Sequence, residues 1–250
     1  MSDPTGNDRG DGYRPAKREV DGAAAQRRGP DPEALTRIML RPIASSLPLG
    51  FFAFGTGSVL LTTLELRWAP QEQSSSLMLP VLVFVVPLEV LAAVFAFLAR
   101  DAGAACALAV FAGVWAGSAL MFLRGQPGET SPALAVFLLT VAPLMLVLAV
   151  ASLQGKPLFG ALLVIGAARF VLIGAYEAGG PGKLQTVAGW MGVALGVFAL
   201  YGGLALLLED GAQRTVLPLA RRGRARGALE GDLAQQLART EGEAGVRRQL

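Results

Sequence analysis

Histidine is absent from this 250-residue chain, cysteine occurs once, and charged residues make up only 16% of it. Without histidine the most common general base is missing, and a zinc site would lack one of its two usual ligand types. The lone Cys106 has no second cysteine with which to form an intrachain disulfide. The apolar regions contain no phosphate-cradling glycine loop, no paired carboxylates and no serine–base constellation. The sequence therefore argues against an enzyme, and it implies neither a cofactor nor a metal. Ordinary soluble domains carry about 25% charged residues. This chain has too few polar side chains to coat a soluble fold of its size.

What it does have is apolar length. Hydrophobic residues make up 53% of the chain, and six runs of them dominate it: Leu47–Leu66, Leu77–Ala99, Ala102–Leu123, Pro132–Leu153, Leu158–Ala178 and Thr186–Leu208. At about 1.5 Å per residue, each is long enough as a helix to cross a hydrocarbon layer about 30 Å thick. The expected fold is an all-α integral membrane protein, a bundle of six transmembrane helices. Pro80, Pro87 and Pro143 fall inside the second and fourth runs and are expected to kink them. Gly113 with Gly117, and Gly192 with Gly196, have the four-residue spacing that lets membrane helices approach closely.

Charge collects at the two ends. Eight of the 22 Lys and Arg lie in residues 1–42, and another eight follow Glu209. Positive flanks are retained on the cytoplasmic side. Both termini are therefore expected in the cytoplasm, as an even number of spans requires. Residues 1–43, rich in Gly, Asp, Arg and Pro, read as a disordered cytoplasmic tail, residues 44–219 as the membrane domain, and residues 220–250 as a second basic tail. In that tail Leu229, Leu233 and Leu237 recur every four residues, so it is either a short surface helix or a solvated segment. Basic residues that flank membrane helices and mix with acids point to lipid headgroups rather than nucleic acid. The partners expected are the bilayer and a small solute, with the cell's inner (plasma) membrane as the location.

Two stretches resemble the acetate uptake transporter family, of the succinate–acetate permease type. Pro48-Leu49-Gly50 followed by Phe54-Gly55 is similar to that family's Asn-Pro-Ala-Pro-Leu-Gly-Leu signature and the Gly/Ala-Phe-Gly beyond it. Ala188-Gly189-Trp190-Met191-Gly192, Gly196, Tyr201, Glu209 and Arg214–Pro218 follow the family's last helix and exit. Asp101 and Trp115 fall at further family positions, but Ser45, Ser46 and Leu47 depart from the signature. The resemblance implies a homo-oligomer, a hexamer, with a pathway through each protomer. It also implies a central constriction made by an aromatic, a tyrosine and a leucine. Phe54 matches the first. Phe111 stands at the tyrosine without its hydroxyl, and the third falls at Gly166, or at Ile165 if the register slips by one.

Two ionisable residues lie within the runs, Glu89 in the second and Arg169 in the fifth. Counted from the run ends, both fall near the bilayer midplane, where a charge costs on the order of 2.5–3.5 kcal/mol. Opposite signs at similar depth suggest one compensated pair, either a structural lock or a stopping point for a carboxylate on Arg169. By the resemblance, Glu89 replaces a glutamine and Arg169 an apolar residue. Ser58 and Thr62 share a helix face with Phe54; they either meet a passing solute or bond back to their own backbone. The function implied by the resemblance is passage of a small monocarboxylate such as acetate, with succinate a further candidate, as a channel or a proton-coupled permease. Transport of ammonium, and a non-transporting scaffold or sensor, are the other readings the residues allow.

Overall fold

The computed structural model describes residues 44–212 and 214–220. The readings made for residues 1–43 and for the tail beyond Ala220, including Leu229, Leu233 and Leu237, lie outside the described residues. Within them are six membrane-length helices: α1 (Leu47–Glu65), α2 (Gln71–Leu98), α3 (Ala102–Arg124), α4 (Pro132–Leu153), α5 (Pro157–Glu177) and α6 (Gly182–Ala212). Four of the expected runs match within one residue at their starts and ends. The second begins six residues earlier than expected, and the sixth is extended at both ends.

The bundle has two distinguishable ends. Leu47 at the start of α1, Lys156 before α5 and Leu219 after α6 line one small cleft, so the chain enters and leaves at the same end. There Asp101 caps α3 by accepting from the Ala104 N–H at 3.3 Å, and it pairs with Lys156. The Tyr201 hydroxyl donates to the Pro218 carbonyl at 2.9 Å and ties the exit segment to α6. The far end carries Glu65, Ser131, Glu177 and Gln185.

Helix α2 is not uniform. A 3₁₀ turn at Gln71–Gln73 and an α segment at Ser74–Pro80 lead into a π turn, Val81–Val85, before α-helix resumes at Val86–Leu98. Pro80 and Pro87 bracket that turn, and each lacks the backbone N–H that a regular ladder needs. The π turn is where the two prolines interrupt the regular α ladder. Pro143, by contrast, lies inside an uninterrupted α4.

Helices α1 and α6 pack side by side, as do α4 and α5. One face of α6 lacks side chains where α1 lies against it. A Cβ on Gly196 would stand 2.9 Å from Val59 Cγ2, and one on Gly202 2.6 Å from the Phe51 ring. In lipid, where water does not drive apolar surfaces together, backbone proximity of this kind is what holds helices to each other. Gly117 does the same against Phe137 of α4, at 2.9 Å. Gly113, expected to share that role, faces no atom within 4 Å. Large apolar side chains such as Val83, Phe97, Val147 and Leu200 remain exposed on the outside of the bundle, which suits acyl chains or a neighbouring subunit.

Because the Phe51 ring is buried and stiff, Gly202→Ala is expected to destabilise the protein by about 1–3 kcal/mol. Gly113→Ala, with open space to enter, is expected to be neutral or slightly stabilising. Unfolding midpoints in detergent check both; equal shifts would refute the close α1–α6 approach as a stabilising contact.

Candidate functional site: an aromatic neck below a charged vestibule

Helices α1 and α3 place Phe54 and Phe111 in contact at the centre of the bundle. Their ring centroids are 4.6 Å apart at an interplanar angle of 56°, and Trp115, one turn along α3, packs edge-on with its ring centroid 5.8 Å from that of Phe54. All three are buried. Helix α5 adds no third side chain at Gly166, which is buried and where a Cβ would find open space. Ile165 is half-buried at the margin of the core.

Around this aromatic cluster, three polar groups are fully enclosed without a partner among the described residues: Ser58 Oγ, Trp115 Nε1–H and both carboxyl oxygens of Glu89. Their layer follows from packing. Val85 Cγ1 and the Trp115 ring converge on Gly57, 3.1 and 3.0 Å from where its Cβ would be. Helices α1 and α2 run in opposite directions. One turn past Val85 therefore brings Glu89 to the layer of Phe54, one turn before Gly57. Buried polar groups are ordinarily paired, so a cluster that is not can accommodate water or a small hydrogen-bonding solute.

The expected Glu89–Arg169 pair does not form. Arg169 instead binds Glu65, the last residue of α1: Nη2 donates to both carboxylate oxygens at 2.8 Å, and Nε donates to the Ala188 carbonyl at 3.1 Å. Both side chains are buried, at 2% and 7% exposure, so the pair is not a surface contact. The reason is depth. The guanidinium rests where a Cβ on Gly192 would meet it at 2.9 Å, and that same Cβ would collide with the Thr62 hydroxyl. Thr62 lies eight residues beyond Phe54 on α1, which separates the Arg169 head from the Glu89 layer by about 12 Å along the bundle. Counting Cα positions from helix ends overlooked both the reach of a long arginine and the acid that closes α1. Thr62 itself bonds across to α6, Oγ1 donating to Gly189 O at 3.4 Å, whereas Thr56 and Thr63 bond back to their own helix.

Glu65 and Arg169 line a vestibule at the far end of the bundle, with about 570 Å³ of empty space including its mouth. Glu177, Gln71, Gln185 and Ser118 line it as well, and Trp115 belongs both to the vestibule and to the aromatic cluster. Glu177 accepts the Ser131 N–H at 2.6 Å. Sequence reasoning missed Glu65 and Glu177. The available signal was that α1 and α5, which run in the same direction, each end on a glutamate. The signature residues have packing roles. Pro48 opens α1, Leu49 is half-buried, Gly50 sits under Leu108, and Gly189 leaves room for Leu66, 2.6 Å from where its Cβ would be. Trp190 is exposed at the far end, edge-on to Trp68 at 6.2 Å, as suits a membrane interface.

Six apolar helices around an occluded aromatic centre, with a polar vestibule above it, define a multi-pass membrane protein of the transporter class. Residues 29–220 match the GPR1/FUN34/yaaH family, and the chain belongs to it; this is the acetate uptake transporter family that its motifs resemble. A solved structure titled "Structure of the bacterial acetate channel SatP" superposes with a TM-score of 0.64 at 19% identity. It covers 70% of this chain and 98% of that one, and it shows that the two share a fold. Comparison with curated protein sequences gives no significant match.

Removing one partner of a buried ion pair leaves the other charge stranded. Arg169→Leu alone is expected to cost about 3–5 kcal/mol, and Glu65→Gln/Arg169→Leu to recover most of that. A double-mutant cycle by detergent unfolding measures the coupling. Additive effects would refute the pair as a structural contact.

Proposed function

We propose that this chain passes small monocarboxylates, acetate first among them, through a pathway inside each protomer. Family membership and the shared fold with an acetate channel support the substrate class. The observation that carries the reading is the Phe54–Phe111 neck, with enclosed and unpartnered hydrogen-bonding groups in its layer and a charged vestibule leading to it. An apolar neck passes a solute only after stripping its water, and stripping a carboxylate is far costlier than stripping the neutral acid. Trp115 Nε1–H and the Ser58 hydroxyl are placed to replace some of the lost hydrogen bonds. Phe54, Phe111, Ser58 and Glu89 are the proposed pathway residues, with the smaller Gly166 leaving room where a third gate residue would stand. Thr62, bonded to α6, and Ile165, at the core margin, act as wall.

The protein acts as a transporter rather than as an enzyme, in the cell's inner membrane with both termini cytoplasmic and as a homo-hexamer; the resemblance and the basic tails support this arrangement. Channel and proton-coupled permease both fit the neck. The unpartnered Glu89 carboxyl favours one second reading, conduction of a small cation such as ammonium with Glu89 facing it.

Uptake of labelled acetate into proteoliposomes tests the proposal. The neutral fraction of a carboxylic acid with an ordinary pKa of about 4–5 rises about tenfold for each pH unit of acidification from neutrality. Saturable uptake is therefore expected to rise steeply as external pH falls. Phe54→Ala, which opens the neck, is expected to admit larger acids. Vesicles that carry methylammonium but not acetate would replace this reading with the cation one, and inert vesicles would refute both.

A further inference from the structure

The Glu65–Arg169 pair has no part in the neck, yet it sits in the wall of the route to it. Arg169 uses Nε and Nη2; its Nη1 makes no hydrogen bond among the described residues, although the side chain lines the vestibule. Glu65 thus holds the guanidinium through one nitrogen, whereas a carboxylate can take two parallel bonds from its edge. The charged groups facing this point are few. Among the described residues lining the vestibule, α1 supplies Glu65 and α5 supplies Arg169 and Glu177, while α2, α3, α4 and α6 supply only neutral side chains. The wall thus carries two carboxylates, Glu65 on Arg169 and Glu177 on the Ser131 N–H, against one guanidinium, and an arriving anion meets an excess of acidic groups.

Resting on the monocarboxylate reading, we propose that Glu65 is the resident occupant of a carboxylate site on Arg169, which a substrate carboxylate takes over when a proton arrives with it. A proton from the outer solution passes to a Glu65 carboxyl oxygen and releases that group from Arg169. The substrate anion then occupies the Nη1–Nη2 edge. As it leaves toward Trp115 and the neck, the substrate takes the proton from Glu65 and travels as the neutral acid, and the Glu65 carboxylate returns to Arg169. The charges balance over the cycle, and the substrate anion replaces Glu65 as the partner of the guanidinium, for which a lasting unpaired state in the interior would be costly. Exchange of one carboxylate for another on the same donors is close to even in energy. Glu177, fixed by the Ser131 N–H, would face the second carboxylate of a dianion, so the site selects monocarboxylates.

Trp115 lines the vestibule, while Trp68 and Trp190 are exposed outside it, so a Trp68→Phe/Trp190→Phe background gives a fluorescence report on acetate titrations of the full chain. Apparent affinity is expected to rise as the pH is lowered from neutrality, because each exchange takes up one proton. Glu65→Gln is expected to bind at neutral pH about tenfold more tightly than its parent and to lose most of that pH dependence. Glu65→Asp, shorter by one methylene and kinder to folding, should fall between them. Glu65→Gln/Arg169→Leu should lose the response. If Glu65→Asp and Glu65→Gln keep the parent's affinity and pH slope, or if the double variant still responds, the exchange is refuted. Acetate flux measured in parallel separates the two ideas. Flux with an unchanged pH profile in Glu65→Asp overturns the exchange alone. Acid-strengthened, Glu65-dependent binding in vesicles that carry no acetate upholds the site and overturns the transport reading.

Discussion

The close approach of α6 to α1 is the constraint on which the interior depends. Where Gly192 has no side chain, the Arg169 guanidinium and the Thr62 hydroxyl occupy the space a Cβ would need. A methyl group there would push the arginine off Glu65, and a charge buried in a membrane bundle has few other places to go. One missing side chain therefore positions a buried cation, and that cation positions the carboxylate at the end of α1. The same glycine-lined face aligns α1 along its length, and so sets where Phe54 and Ser58 stand relative to α3.

The polar groups of the vestibule and of the neck form two layers with different chemistry. The outer layer is paired and charged, and it opens to the vestibule. The inner layer is aromatic, with hydrogen-bonding atoms that are enclosed but unpartnered. Trp115 belongs to both, lining the cavity and packing its ring against Phe54. On the proposed route a solute would meet charge before apolar surface, the order that suits a weak acid losing its charge on the way. The π turn in α2 lies next to this boundary and turns Val85 toward Gly57 and Trp115.

Much of the fold was legible in residue order. The apolar lengths located all six helices, the neck aromatics were named by resemblance and are found in contact, and Gly192 with Gly196 does pack against a neighbour. Other details depended on context. Pro80 and Pro87 foretold a disturbance in α2 but not its form, and the similar Pro143 leaves α4 intact. Gly113 and Gly117 have the same spacing as the α6 pair, yet Gly117 alone meets another helix. The expected Glu89–Arg169 pair failed because matching two charges by depth ignores which helices are neighbours and how far an arginine reaches.

Apolar length and terminal charge are local quantities, readable along the chain because a helix rises by a constant amount per residue against a bilayer of nearly constant thickness. They determined the membrane class, the number of spans and, through short motifs, the family. Which buried charge meets which, and which polar atoms are left without partners, was decided only by the tertiary structure. Those outcomes depend on the order of helices around the bundle and on register set by glycine contacts, neither of which has a fixed spacing in the sequence.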